Sequence, residues 1–539
     1  MKKIITLLAL VLVTSGIFAQ GNLTVNSGGS LTVSEISSLT AVGDLTINSG
    51  GSLTVAHTGS IVQTQDAVTV TNNGTIEVQT ITPAMAEKSF MIIGSPMTSE
   101  TRAGVYGASY IVRNHDTSLF VPNTAVQTSF PGANNFADET GNNWVEHAGG
   151  LNPGEGYMVF PQPNGTSSGT YTQTHSLGTL NTGVINFALV FNGTENDSPN
   201  MLANPYPSAI DLDQFFIVNP DISAVFFWEH LTGLSVTYPG YNGSNFDMGD
   251  ISLFSQALSS GVASANGGDV PVKYISTGQG FGVKATAAGT AVFNNSMRVA
   301  DKNDTYRSNN SVEKDRLWMN VYNDSYGLGS TALIGFTENT SDEFSSSEDI
   351  DRLPTPVSLY SELETGEELV VNALDTFEFS DAFYLSFSTQ IKEVQDYRIS
   401  IQDLDGINLE NATVYLIDSF TGSVTNLTEG DYTFESVEAT YSKRFKVEFQ
   451  NGALGINDSN LDAVSLYPNP TKDVITIVSP QTIVTSAKVF DIRGRIISEV
   501  DFSNQGSYQI DLSAMEAAIY FIDITTESGT VNKRVIKKN

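Results

Sequence analysis

Residues 466–478 read LYPNPTKDVITIV, and the chain closes at residues 529–539 with GTVNKRVIKKN. Pro468 and Pro470 carry no amide donor and fix their own φ, so Tyr467, Pro468, Asn469 and Pro470 do not fit inside a sheet. They read as a rigid strap leading into a strand at residues 474–478. A second strand at 487–492 turns through Arg493, Gly494 and Arg495, and residues 496–500 return antiparallel. Tyr508, Ile510 and Leu512 alternate with polar residues, as on a half-buried strand. Residues 519–525 and 531–536 flank Glu527, Ser528 and Gly529, a hairpin. The stretch therefore predicts a small immunoglobulin-like β-sandwich of about six or seven short strands. Its tail, with Lys533, Arg534, Lys537 and Lys538, is basic on a strongly acidic chain.

Four segments here, YPNPTKDVITI, VFDIRGRII, IDLSAMEAAIYFIDI and NKRVIKK, come in order over the last stretch of the chain. In this it resembles the type A C-terminal sorting domain of the type IX secretion system. The resemblance implies cargo that passes from the periplasm of a Gram-negative bacterium through an outer-membrane translocon. It further implies a sortase-like peptidase as partner, and release or fixation to surface lipopolysaccharide. The residues that would carry the signal are Tyr467, Pro468, Asn469, Pro470, Gly494, Arg495, Tyr520, Lys533, Arg534 and Lys537. One departure is visible: the family usually has glycine before the Ile-Tyr-Phe strand, and Ala518 stands there.

Working back from this end, 539 residues exceed what a single core supports, so several domains are expected. A net charge of −33 repels nucleic acid and anionic membrane, which excludes phosphate-backbone binding as the main role. With no cysteine, disulfide stapling, thiol chemistry and an N-terminal lipid anchor are excluded. Residues 1–19 read as a signal peptide, with Lys2 and Lys3 before an apolar run too short to span a bilayer. Cleavage is expected after Ala19.

The next stretch repeats. GNLTVNSGGSLTV at 21–33 returns as GDLTINSGGSLTV at 43–55, 22 residues on, and a degenerate third copy follows. Leu-Thr-Val strands separated by glycine corners at such a period predict a short β-solenoid over 20–82, which needs a neighbour to dock on; plain hairpins are the alternative. Residues 83–300 read as a β-rich domain with helical periodicity only at 209–216, and 301–313 as a linker. A β-sandwich domain follows at 314–450, then a linker at 451–463 and the sorting domain at 464–539. The central domains thus read as sandwich or jelly-roll-like, and the whole chain as mostly β. Fragments around Asn204–Asp211, Phe227–His230, Tyr274–Phe281 and Phe293–Arg298 resemble a recurring block in large surface proteins with the same sorting domain.

Catalytic constellations are sparse. Gly165, Ser167 and Gly169 have the spacing of a nucleophile elbow but lack its apolar strand and following helix. Gly278, Gly280 and Gly282 lack the helix that would hold a phosphate. The five histidines fall in no zinc-ligand spacing. Asp342, Glu343, Glu348, Asp349 and Asp351 form an acidic loop that calcium would suit, without the regular order of a calcium loop. Glu229 and His230 flank Trp228, yet neighbours on a strand point to opposite faces. These readings assign no catalytic, cofactor or metal residue. They predict a secreted or cell-surface protein with a structural, adhesive or other binding role. The alternative is a protein that binds or degrades extracellular polysaccharide, with Trp144, Trp228 and Tyr241 as ligand-facing aromatics.

Overall fold

The computed structural model describes residues 5–7, 10–13, 16–238, 241–303, 314–338, 340–451, 464–479, 483–491, 495–502, 508–526 and 529–538. Strands dominate, and the chain divides into two compact units, Met1–Phe449 and Gln450–Asn539.

In the first unit the repeat lays its strands into three parallel sheets. Leu23–Val25 pairs with Leu45–Ile47, Ser30–Val33 with Ser52–Val55, and Ser38–Ala41 with Ser60–Gln63, each residue opposite its counterpart one copy later. This register is what an identical repeat favours. Val25, Val33, Ile47, Val55 and Ile61 point inward and are fully buried, while like polar groups stack: Asn48 Nδ2 donates to Asn26 Oδ1 at 2.8 Å and Ser52 Oγ to Ser30 Oγ at 2.9 Å. Gly74 marks a corner where coils nearly touch, since a Cβ there would meet the carbonyl oxygens of Gly51 and Asn48. The backbone of Ile5–Leu7 and Leu10–Val13, inside the segment read as a signal peptide, pairs in parallel ahead of the first copy.

The repeat is bonded to the chain that follows it. Thr75–Ile81 pairs in parallel with Ser52–Val55 at one end and antiparallel with Thr172–His175 at the other. Ile61 N donates to Pro207 O at 2.7 Å, the buried Arg298 guanidinium to Ile61 O, and Asn303 Nδ2 to Gly59 O at 2.7 Å. Beyond it, among the described residues, stand four antiparallel sheets, of which the two largest bear on the site. One orders Met91–Ile93, Tyr157–Phe160, Ile111–His115 and Trp144–Glu146; the other orders Pro199–Ala203, Gly280–Lys284, Ala224–Trp228, Ile251–Ser255 and Ser260–Val262. The helical periodicity expected at 209–216 is realised later, as helix Leu212–Val218. Asp211 caps it through Asp213 N at 2.9 Å, so residues 209–211 stay extended as a strand, and Leu212, Phe215 and Phe216 turn into the core.

The strands between 315 and 451 form one large sheet that folds over itself, so that Val414 and Leu416 share a core with Leu317 and Val321. A second core joins this sheet to the preceding region: Trp318, Leu333 and Val371 pack with Val126, Phe226 and Leu253, and Trp318 Nε1 donates to Gly261 O at 2.8 Å.

The second unit is a sandwich. A sheet of Ser465–Tyr467, Val474–Val478 and Tyr508–Asp511 and a sheet of Ile496–Asp501, Val484–Phe490, Ile519–Thr526 and Gly529–Ile536 enclose Ile475, Ile477, Val489, Ile510, Ile522 and Val535. Of the turn at 493–495 only Arg495 is described, and of the hairpin at 527–529 only Gly529.

Candidate ligand-binding pocket

The sheet carrying Ile111–His115 and the sheet carrying Ala224–Trp228 each bury one face in a core and turn the other toward a shared cavity of about 470 Å³. Period-two alternation selects the lining. Ile111, Arg113 and His115 face the cavity while Val112 is buried behind them; Phe226 and Trp228 face it while Val225 is buried behind, and Phe227 between them packs in the core behind but also touches the cavity. Gly282, opposite both Phe226 and Met201 in the register, puts no side chain on this wall.

Aromatic rings make most of the surface. Phe90 stacks on Trp228 at 5.0 Å and 14°, and Phe246 meets both edge-on, at 5.0 Å from Phe90 and 5.7 Å from Trp228. Trp144 stands edge-on to His115 at 4.8 Å, across the strand pair that sets them opposite. Tyr241 is 53% exposed at the mouth. Its ring lies over Gly141, where φ is +67° and a Cβ would land inside the ring. Asp138 shapes this loop, accepting from Val121 N at 2.8 Å, from Thr140 N at 2.9 Å and from Gly141 N. Gly141→Ala combines an unfavourable left-handed φ with that collision. We expect it to cost about 1–2 kcal/mol and to expel Tyr241, read by thermal melting and by faster hydrogen exchange at residues 241–245.

Polar groups in the wall are few and ordered. Asn143 Nδ2 can only donate, so at 3.0 Å it makes His115 Nε2 an acceptor. Nδ1 of that ring then donates to Thr117 Oγ1 at 3.1 Å, which donates to Pro199 O at 2.6 Å. Burial drives the His115 imidazole down to about 4, against the pull of Asp116 and Asp138, so the ring is neutral at neutral pH. His230, outside the lining but packed edge-on against Trp228, is likewise pushed down to about 4 by burial. Asn143 Oδ1 and Trp228 Nε1 are buried with no hydrogen-bond partner among the described residues. Glu229 turns the other way and accepts from Ser252 Oγ at 2.7 Å.

Residues 9–449 match the family described as Domain of unknown function (DUF8693), and residues 465–538 match the family described as Secretion system C-terminal sorting domain. The chain belongs to the DUF8693 family. No curated protein matches it. The aromatic pocket lies wholly inside the DUF8693 region, and the match beyond it makes the protein a cargo of the type IX secretion system, sent to the cell surface or the extracellular space.

The three aromatics singled out in the sequence, Trp144, Trp228 and Tyr241, all line this one DUF8693 pocket. Phe90, Phe136, Phe246, Arg113 and Asn143 join them without having been singled out; only the alternation in Ile111–His115 signals any of them. The other fragments lie elsewhere. Gly165 ends a short 3-10 turn, and a strand, Thr172–His175, comes next after Ser167, as a surface loop predicts. Gly280 opens a strand and presses on Ile92. In the acidic loop, Asp349 is buried and accepts from Ser345 N at 2.9 Å and Ala373 N at 3.0 Å, and burial raises its carboxyl to about 6. No group of three or more metal-ligating side chains is placed to hold an ion among the described residues.

In the sorting domain the strap grips the last strand. Asn469 Nδ2 donates to Arg534 O at 2.7 Å and Ile536 N to Asn469 Oδ1 at 3.0 Å, while Lys538 N donates to Thr471 O at 2.8 Å. Tyr467 ends the first strand, half-exposed, and the bonds Tyr467–Pro468 and Asn469–Pro470 are cis. Tyr520 is buried and its hydroxyl donates to Glu516 O at 3.0 Å. Arg495 pairs with Asp491 at 2.7 Å. Lys533 and Arg534 lie on the final strand opposite Ile522 and Phe521, and Lys537 N donates to Ala518 O at 2.9 Å. Gly494 lies outside the described residues.

Proposed function

We propose that this exported protein is a carbohydrate-binding protein whose DUF8693 pocket is the ligand site and which does no chemistry on its ligand. The observation that carries this reading is the convergence of Trp144, Trp228 and Tyr241 on one cavity. Flat rings offer large, rigid contact area to the apolar face of a sugar. Glycoside hydrolysis needs two free carboxyl groups facing each other. Among the described lining residues Asp138 is the one carboxylate, and loop donors occupy it.

The test is a glycan array with the full exported chain, followed by calorimetry on the strongest hit. Tyr241→Ala, at an exposed position, is expected to weaken binding about 5- to 10-fold, the worth of one aromatic contact. Gly282→Leu would fill the cavity from its floor. A Cβ there meets Met201 and Phe226 at ordinary distances, 3.6 and 3.8 Å, so the larger variant blocks the site by its outer atoms. Full affinity in both variants, or an array without hits, would sink the reading.

A further inference from the structure

The charge of the pocket runs opposite to that of the molecule. The chain carries 59 acidic and 26 basic residues, yet among the described residues the cavity is lined by Lys88 and Arg113 against Asp138 alone. Asp138 is engaged by the amides of its own loop and by Thr140 Oγ1 at 3.2 Å. Neither Lys88 nor Arg113 forms an ion pair within 4.0 Å among the described residues, although Glu146 stands opposite Arg113 on the next strand. The other nearby cation is accounted for: Lys284 lies behind Phe136, 4.7 Å from its ring centroid, among Glu195, Asp351 and Asp197. His115 and His230 contribute no charge at neutral pH.

Arg113 holds a set place on the wall. Its strand pairs on both sides, with Tyr157–Phe160 and with Trp144–Glu146, so the guanidinium rises from the middle of the sheet between Ile111 and His115. A guanidinium presents a planar fork that suits a carboxylate, and Lys88 adds a flexible point charge at the exposed rim. On such a site an uncharged sugar would leave both cations without a counter-charge. Resting on the carbohydrate reading above, we infer that the pocket takes an acidic sugar: a uronic-acid unit of an extracellular polysaccharide, with its ring face on the aromatics and its carboxylate on Arg113 and Lys88.

The experiment is calorimetric titration of the full exported chain with tetramers of the common uronic acids, and with the methyl ester of each. The ester keeps the ring and its hydroxyls and removes the charge. One acid is expected to bind on the order of tenfold more tightly than its ester, with the advantage shrinking in high salt. In an Arg113→Gln, Lys88→Gln variant with unchanged melting, acid and ester should bind alike, at the affinity the ester has for the wild type. Equal binding of acid and ester to the wild type overturns the inference and leaves the carbohydrate reading standing, as does a preference that survives the double variant. Binding of benzoate with no uronic acid bound would keep the charge match but overturn the sugar, and failure of every saccharide would overturn both readings.

Discussion

Cells expressing the chain without residues 452–539 should retain it in the periplasm, with none at the surface or in the medium. The prediction follows from two observations. The sorting domain is a separate compact unit with its own core, and the first unit ends at Phe449 with its cores complete. Truncation there removes the address and leaves folding intact, so the retained protein should melt as the first unit does in the full chain. Fusing residues 464–539 to a reporter that normally stays in the periplasm should carry it outside. Truncated protein found outside, or a retained reporter, would refute the assignment of the address to these strands. A finer variant separates address from fold. Asn469→Ala removes both side-chain hydrogen bonds between strap and final strand, at about 1 kcal/mol each. It should loosen the end of the domain and lower the exported fraction without abolishing export.

Asp418→Ala should destabilise the first unit by about 3–5 kcal/mol. The Asp418 side chain is fully buried against Arg444, with Nε to Oδ1 at 3.1 Å and an Nη to Oδ2 at 2.8 Å. Tyr432 Oη donates to Oδ2 at 2.7 Å and Phe420 N to Oδ1 at 2.8 Å. The guanidinium in turn sits among rings, 4.4 Å from the Phe434 centroid and 4.8 Å from that of Tyr441. Removing the carboxylate strands a buried cation. Asp418→Leu with Arg444→Met should recover most of the loss, because the expense lies in the orphaned charge and not in the missing pair. The pH dependence has a definite sign. Burial alone would raise the Asp418 carboxyl, but the Arg444 and Tyr432 hydrogen bonds and the Phe420 amide outweigh it and hold it below the ordinary range. A depressed carboxyl stabilises the fold above its unfolded value of about 4 and loses that contribution as pH falls through the folded one. The gap in melting temperature between the wild type and Asp418→Asn should therefore be full at neutral pH and close below about pH 4. A gap that persisted at acid pH would show that Asp418 acts by shape and not by charge.

Local patterns carried far in this chain. The strap of Pro468–Pro470 and the alternation of the last strands were readable because proline geometry and period-two burial act within a few residues; Tyr467, read as part of the strap, instead ends a strand paired with Val474–Val478, because only the prolines lack the amide that a ladder needs. The sorting domain and its destination followed from that stretch. The mostly β class was legible for the same reason, and so was the identity of Trp144, Trp228 and Tyr241 as aromatics worth testing. What one strand does could be read; what faces it across a cavity could not. Trp144 and Trp228 lie 84 residues apart on different sheets, and only the packing of those sheets makes them neighbours. Arg113 has no distinguishing signal in the sequence and only the fold places it on the cavity wall, and Asp418 met Arg444 only when the large sheet folded over. Sequence determined the elements and the address, because these depend on backbone geometry and on side chains a few positions apart. The site, its charge and the buried pair were decided by tertiary structure, because each joins residues whose separation along the chain says nothing about their distance in space.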